Sequence, residues 1–353
     1  MKEVKPWVSR WNSFNSNKAL VHAEYWEPII TEHRVPPPRS ISVDPSGTCQ
    51  LHCPHCNASR VIGRGNRFMS IETMDKIVKL ATEWGVRSVC VGGGGEPMLN
   101  PGTPYLIARL AACDIDVALV TNGVAGVAAE CARALSYAGV SVDAATPKTW
   151  AEVKGVKNGV LFSRVLKTLG ALAGVTDATY KFLLLPTNFH EVGEACRIAK
   201  DIGCDSFHLR PGSDAWFGQK QSIRFDALMQ DRVGWQIEGA RERLEDESFR
   251  IYGIVDKFDA KWQKQVSFKK CWACFTTCFI SYDGSVGVCC DRRGDKRIML
   301  GDVNTIQKEW GSERHWKIHA GIDPQACPRC TYSHVCEIVE SVIIEDKMFK
   351  NFF

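Results

Sequence analysis

The chain has 353 residues, of which 45% are apolar and 24% charged, and its 44 basic against 40 acidic side chains leave a net charge of +4. That composition excludes disordered and collagen-like classes, the length predicts roughly two domains, and no uninterrupted apolar run reaches the roughly 18 residues of a membrane span. The mild positive charge permits an anionic substrate without arguing for a polyanion, and a start without the apolar core of a signal peptide predicts a cytoplasmic, reducing setting.

Residues 1–39 read as an irregular extension ending in the stiff run Pro36-Pro37-Pro38. A strand–helix rhythm then begins. Strands are predicted at Ser40–Val43, Val89–Val91, Val117–Val120, Val140–Asp143, Phe182–Leu185 and Phe207–Leu209. Between them lie a helix capped by Ser70, with Ile71, Met74, Ile77, Val78 and Ala81 on one face, and helices over Val124–Tyr137 and Glu191–Ile202. Alternation of this kind implies a parallel sheet. Six units fit a partial (β/α)6 TIM-like barrel better than an open doubly wound sheet. The predicted fold class is thus α/β, with the barrel over 40–220, a charged helical connector over 221–264, and a small cysteine-rich domain over 265–353 in which the rhythm stops.

Sixteen cysteines are too sparse for a disulfide scaffold and too many for cysteine used only as a small hydrophobe. Cys90, Cys113, Cys131, Cys196 and Cys204 are scattered and read mainly as core residues. Cys49, Cys53 and Cys56 instead form a C-x3-C-x2-C group directly after the first strand. Thiolates at that density suit zinc, with His52 or His55 as fourth ligand, or a 4Fe–4S cluster with one iron left open.

The segment Cys49-Gln50-Leu51-His52-Cys53-Pro54-His55-Cys56 resembles the cluster motif of the radical S-adenosylmethionine (SAM) superfamily, with Gln50 where many relatives have Asn. Three further segments, each after a successive strand, are similar to that family's SAM-binding elements. Gly94-Gly95-Glu96-Pro97 matches its GGEP, which implies that Glu96 meets the methionine amino group. Thr121-Asn122-Gly123 matches its TNG, near the ribose, and Ser141-x-Asp143 its S-x-D, with Ser141 near ribose or carboxylate. Arg210, just past strand six, is a candidate holder of a carboxylate of cofactor or substrate. The resemblance covers about residues 40–215. It implies SAM and a 4Fe–4S cluster as cofactors, and flavodoxin or ferredoxin as electron donor. It also implies cleavage of SAM to a 5′-deoxyadenosyl radical that takes hydrogen from an unactivated C–H.

In the last quarter, Cys271-x2-Cys274, Cys278, Asp283-Gly284, Cys289-Cys290, Cys327-x2-Cys330 and Cys336 resemble the SPASM and twitch extensions that hold auxiliary 4Fe–4S clusters. A full SPASM pattern places another cysteine where this chain has Glu340. The resemblance therefore implies at least one auxiliary cluster, on Cys271, Cys289, Cys327 and Cys330, with Cys274, Cys278, Cys290 and Cys336 spare or partial ligands. Read without the resemblance, paired C-x2-C groups also make a four-thiolate zinc ribbon. Lys264, Lys269, Lys270, Arg292, Arg293, Lys296 and Arg297 read as a solvated basic face.

The expected function is a radical SAM enzyme of oxidoreductase or isomerase type. Its expected partner is a small polar metabolite (sugar, aminocyclitol or nucleotide), with no membrane partner and no residue assigned to the substrate chemistry itself. The alternatives are modification of a ribosomal peptide, of a nucleobase in nucleic acid, or, outside enzymes, a zinc-ribbon nucleic-acid-binding protein.

Overall fold

Ser70 shows how local chemistry sets the framework. Its hydroxyl accepts from the Thr73 N–H, and the helix Ile71–Glu83 that follows turns Met74, Ile77, Val78 and Ala81 into the core. The structure is a computed structural model and describes residues 14–63, 65–214, 222–253, 258–264 and 266–344.

Among the described residues, ten strands form one sheet: β1 (Ser40–Val43), β2 (Ser88–Val91), β3 (Asp116–Thr121), β4 (Tyr137–Ser141), β5 (Asp177–Leu184), β6 (Ser206–Pro211), β7 (Arg250–Gly253), β8 (Thr277–Ile280), β9 (Ser285–Gly287) and β10 (Met299–Asp302). Their order is β10-β9-β8-β1-β2-β3-β4-β5-β6-β7. From β1 to β7 every neighbouring pair is parallel. The fold is the expected α/β partial barrel, with β7 added on one side of the predicted six strands and β8 to β10 on the other.

The first addition is β7, which pairs in parallel with β6 and buries Ile251 and Tyr252. The rhythm thus runs one unit further than expected, through the helix Ala227–Leu244. The second is β8, which joins β1 in parallel, Ile41 opposite Cys278, before the chain turns antiparallel into β9 and β10. The last quarter is therefore an extension of the barrel's own sheet. Gly284, at φ +82, makes the β8–β9 turn while Asp283 accepts from the Ser285 N–H.

Two other expectations change. The predicted helix 124–137 shrinks to Ala129–Arg133, because Gly126 at φ +80 breaks the helical path and Tyr137 already opens β4. The N-terminal extension is not wholly irregular: Lys18–Val21 and Glu27–Glu32 are helical, and Tyr25, Trp26 and Ile29 are buried.

Strand alternation sorts the core from the lumen. Ile41, Val43, Val89, Val91, Val117, Leu119, Tyr180, Phe182, Phe207 and Leu209 are buried on one face. The opposite face carries Ser42, Cys90, Tyr137, Ser141, Lys181, His208 and Arg210, a polar set for a barrel interior. Cys90 belongs to that second face and is half-buried, so it is not a plain core residue. Among the described residues, no helix is long and apolar enough to cross a membrane.

Candidate functional site

The loop after β1 carries the first three cysteines, and the strand ends beside it hold it in place. The Gly95 N–H donates to the Ser46 carbonyl (2.9 Å) and the Glu96 N–H to the Thr48 carbonyl (2.8 Å). A Cβ at Gly95 would stand 2.2 Å from the Thr48 oxygen, so this approach requires glycine. Glu96 is buried, and its carboxylate accepts from the Thr121 hydroxyl (2.5 Å), the Asn122 N–H (2.7 Å) and the Met98 N–H (3.1 Å). Burial pushes its pKa up, and those donors oppose the shift. The Asn122 side-chain amide donates onward to the Cys49 sulfur (3.7 Å), and the Gln50 amide donates to the Asn122 oxygen (3.2 Å). Three motifs far apart in sequence thus form one hydrogen-bonded group at the ends of β1, β2 and β3.

The fourth motif closes the other side. Asp143, held at φ +64, accepts from the Leu183 N–H (2.6 Å) and pairs with Lys154 in a short, buried ion pair. Lys154 also donates to the Ser141 carbonyl (2.7 Å). It ends the helix Pro147–Lys154, and its carbonyl accepts from the His52 N–H (3.0 Å), so the helix end is seated on the cysteine loop. A Cβ at Gly155, where φ is +63, would stand 2.2 Å from the His52 oxygen. Burial pushes the Cys53 thiol up to about 12, and the Lys154 ammonium is the leading influence in the opposite direction. Burial likewise raises Cys49 and Cys56 and lowers His55 to about 4, so His55 is a neutral imidazole at neutral pH.

Arg210 lies elsewhere. Half-buried on β6, its guanidinium stands over the Phe258 ring (5.7 Å) and feels Arg329, Asp291, Cys330 and Cys290, all of the last quarter or its approach. The structure thus turns it toward the second group of cysteines.

In that group, Cys271, Cys289, Cys327 and Cys330 are close enough to influence one another's ionisation. Cys271 is held well below the usual thiol range by hydrogen bonds from Cys274 and Cys336, while burial raises Cys289 and Cys330. Cys278 sits inside the sheet on β8, where burial alone raises it to about 12. Cys290 meets the Tyr332 hydroxyl (3.4 Å). Glu340, which stands where a SPASM pattern has cysteine, accepts from the Lys269 N–H (2.6 Å), the Lys270 N–H (2.9 Å) and the Trp272 indole (3.2 Å). It fixes the loop that presents Cys271.

The expected basic face is divided: Lys269, Lys270, Lys296 and Arg297 are exposed as predicted, while carboxylates and carbonyls draw Lys264, Arg292 and Arg293 inward. Arg293 is buried against Asp44 at the end of β1, Arg292 against Asp295, and Lys264 donates to the carbonyls of Pro324 (3.1 Å) and Gln325 (2.9 Å). Arg329 reaches Asp291 (2.8 Å), whose other oxygen accepts from the Thr331 N–H (2.6 Å). Lys154, Arg293, Asp44, Asp291 and Arg329 carry no motif and were not singled out as site residues from sequence. Only their burial reveals them.

Among the described residues, no three His, Cys, Asp or Glu side chains converge on one point for a single metal ion. The thiolates of a four-iron cluster each bind a different iron and need no common point. Three half-buried thiols, with an amide donor on one and an ammonium beside another, fit that second donor set.

Residues 43–207 match the sequence model of the Radical SAM superfamily. The chain is 28% identical over 221 residues to a PqqA peptide cyclase of Streptomyces rochei, across 61% of this chain and 58% of that one. It is also 28% identical over 176 residues to a probable GTP 3′,8-cyclase of Methanococcus vannielii, across 47% of this chain and 56% of that one. The matched segments span a little over half the length of these curated relatives. Among solved structures, SuiB of Streptococcus suis bound to SAM superposes with a TM-score of 0.65 at 16% identity, over 87% of this chain and 75% of that one. The same protein bound to its precursor peptide SuiA gives 0.63. At that identity the likeness is one of fold.

Proposed function

We propose that this chain, which carries a radical SAM domain over residues 43–207, modifies a peptide by taking a hydrogen atom from it. Bound at Cys49, Cys53 and Cys56, a reduced 4Fe–4S cluster with SAM supplies hydrogen-abstracting radical chemistry. The chain's residues prepare for it. Asn122 donates to the Cys49 sulfur and is itself set by Glu96, so one buried carboxylate fixes the geometry of cysteine loop and SAM cleft together. Lys154 brings a positive charge to three ligands that must be thiolates when bound. Cys271, Cys289, Cys327 and Cys330 would close an auxiliary cluster with no open iron.

The observation that carries this reading is the convergence of the cysteine loop, Glu96 and Asn122 into one hydrogen-bonded group. The similarity to a PqqA peptide cyclase and the shared fold with SuiB support a peptide substrate over the small metabolite first expected. A second reading, a nucleotide substrate, has the similarity to a probable GTP 3′,8-cyclase behind it. The test is to incubate anaerobically reconstituted enzyme with SAM, dithionite and either a library of synthetic peptides or GTP. A peptide losing hydrogen mass, with one 5′-deoxyadenosine formed per event, is the expected result. Turnover with GTP and with no peptide would overturn the peptide reading.

A further inference from the structure

Among the described residues, the lumen face of the sheet carries more positive charge than it neutralises. Three cations around it have carboxylate partners: Lys154 with Asp143, Arg293 with Asp44, and Arg329 with Asp291. Lys181 on β5 and Arg210 on β6 have neither an ion-pair nor a hydrogen-bond partner among the described residues. The carboxylates that act on them are already taken, Asp143 for Lys181 and Asp291 for Arg210.

Their placement is specific. In the parallel register Lys181 stands opposite His208 and Leu183 opposite Arg210, so the two cations occupy the same face at successive levels of adjacent strands. Lys181 reaches across β4, where a Cβ at Gly139 would lie 2.6 Å from its Cδ. Arg210 is half-buried against the Phe258 ring, which supports the guanidinium plane and leaves its N–H edges without an acceptor among the described residues. Burial lowers the pKa of both, and the Arg210 charge lowers Lys181 further. Two such cations in a half-buried lumen are costly unless an anion joins them.

We infer that Lys181 and Arg210 form the recognition site for a carboxylate of the substrate, which on the peptide reading above is an acidic side chain held inside the barrel. An ammonium and a guanidinium fork on neighbouring strands suit the two oxygens of one carboxylate. The site lies beside Cys90 of β2 and the cysteines of the last quarter, since Cys90 acts on Lys181 and Cys290 and Cys330 act on Arg210.

The test uses reconstituted holoenzyme with SAM bound and three probes, Ac-Ala-Glu-Ala-NH2, Ac-Ala-Gln-Ala-NH2 and glutarate, with binding read by calorimetry. The expected result is about tenfold or more tighter binding of the glutamyl than the glutaminyl peptide, as charge-assisted hydrogen bonds of roughly 1.5–3 kcal/mol require. That ratio should fall toward one in Lys181→Gln and in Arg210→Gln, and recover in Lys181→Arg. Equal affinities in the unaltered enzyme, or no binding of either peptide, overturn the inference without any variant. A ratio that persists in both Gln variants overturns it too. Loss of SAM affinity, or of iron, in these variants would mean that the cations serve the cofactors instead and would equally overturn it. Glutarate binding as tightly as the glutamyl peptide would uphold the carboxylate site and count against the peptide reading, so the two fail separately.

Discussion

The two cysteine groups are built on opposite plans. The thiols of the first, Cys49, Cys53 and Cys56, are surrounded by non-cysteine groups delivered by successive strand ends: Asn122 on Cys49, Lys154 beside Cys53, and Glu96 behind both loops. In the second group the thiols meet one another, Cys271 with Cys274 and Cys336, on loops tied down by Glu340 and Lys264. Three thiols framed by polar residues leave room for a ligand. Thiols framed by other thiols leave little. Position in the barrel explains the difference, because strand C-termini bring several unlike side chains to one place, whereas the last quarter joins the sheet beyond β1, through β8 and the antiparallel β9 and β10.

The largest expected effect falls on the joint between the regions. Arg293 is nearly buried and bonds Asp44 across the boundary, so Arg293→Leu leaves a buried carboxylate unpaired and should cost about 3–5 kcal/mol in urea unfolding of the anaerobic protein. Arg297→Leu, which removes an exposed partner of Asp295, should cost under about 1 kcal/mol. Similar losses for the two would mean that the joint is no more than a surface contact.

Next comes Glu340→Ala, which strips three N–H groups of their acceptor; Lys269 and Lys270 are exposed, so water replaces part of what is lost and the cost should be about 1–3 kcal/mol in all. The expected outcome is lost iron from the second group with SAM binding preserved at the first. Equal loss from both sites would break the comparison. Smaller still, Glu96→Gln keeps an acceptor for Asn122 but removes the charge, and should weaken SAM binding roughly tenfold while iron stays bound. Unchanged SAM affinity would show that Glu96 acts only on the protein.

Motifs were legible in sequence because their physics is local. A strand end, a glycine and a polar residue within a few positions make Gly94–Glu96 and Thr121–Gly123 readable as strand exits, and their resemblance to a family's motifs in successive order marks them as a site; Ser70 announces its helix by its cap alone. The helix expected over 124–137 failed for a local reason too, since Gly126 adopts a left-handed conformation that apolar spacing does not reveal. The charge pairs are different. Arg293 and Asp44 are 249 positions apart, and nothing in the basic run around Arg293 distinguishes the residue that goes inside. Lys181 lies just before the strand expected at Phe182–Leu185, and only the register with Arg210 gives it meaning. Glu340 was visible as a departure from a cysteine pattern; its three N–H partners explain what the carboxylate does instead.

Iron counting tests the central claim, that the chain holds an open site and a closed one. A variant with Cys49, Cys53 and Cys56 all changed to Ala, purified and reconstituted anaerobically, should remain brown with about four irons per chain and form no 5′-deoxyadenosine from SAM under dithionite, because four thiolates of the last quarter suffice for one cluster. About eight irons would mean that two auxiliary clusters are present. A colourless variant containing zinc, or one that still cleaves SAM, would contradict the account.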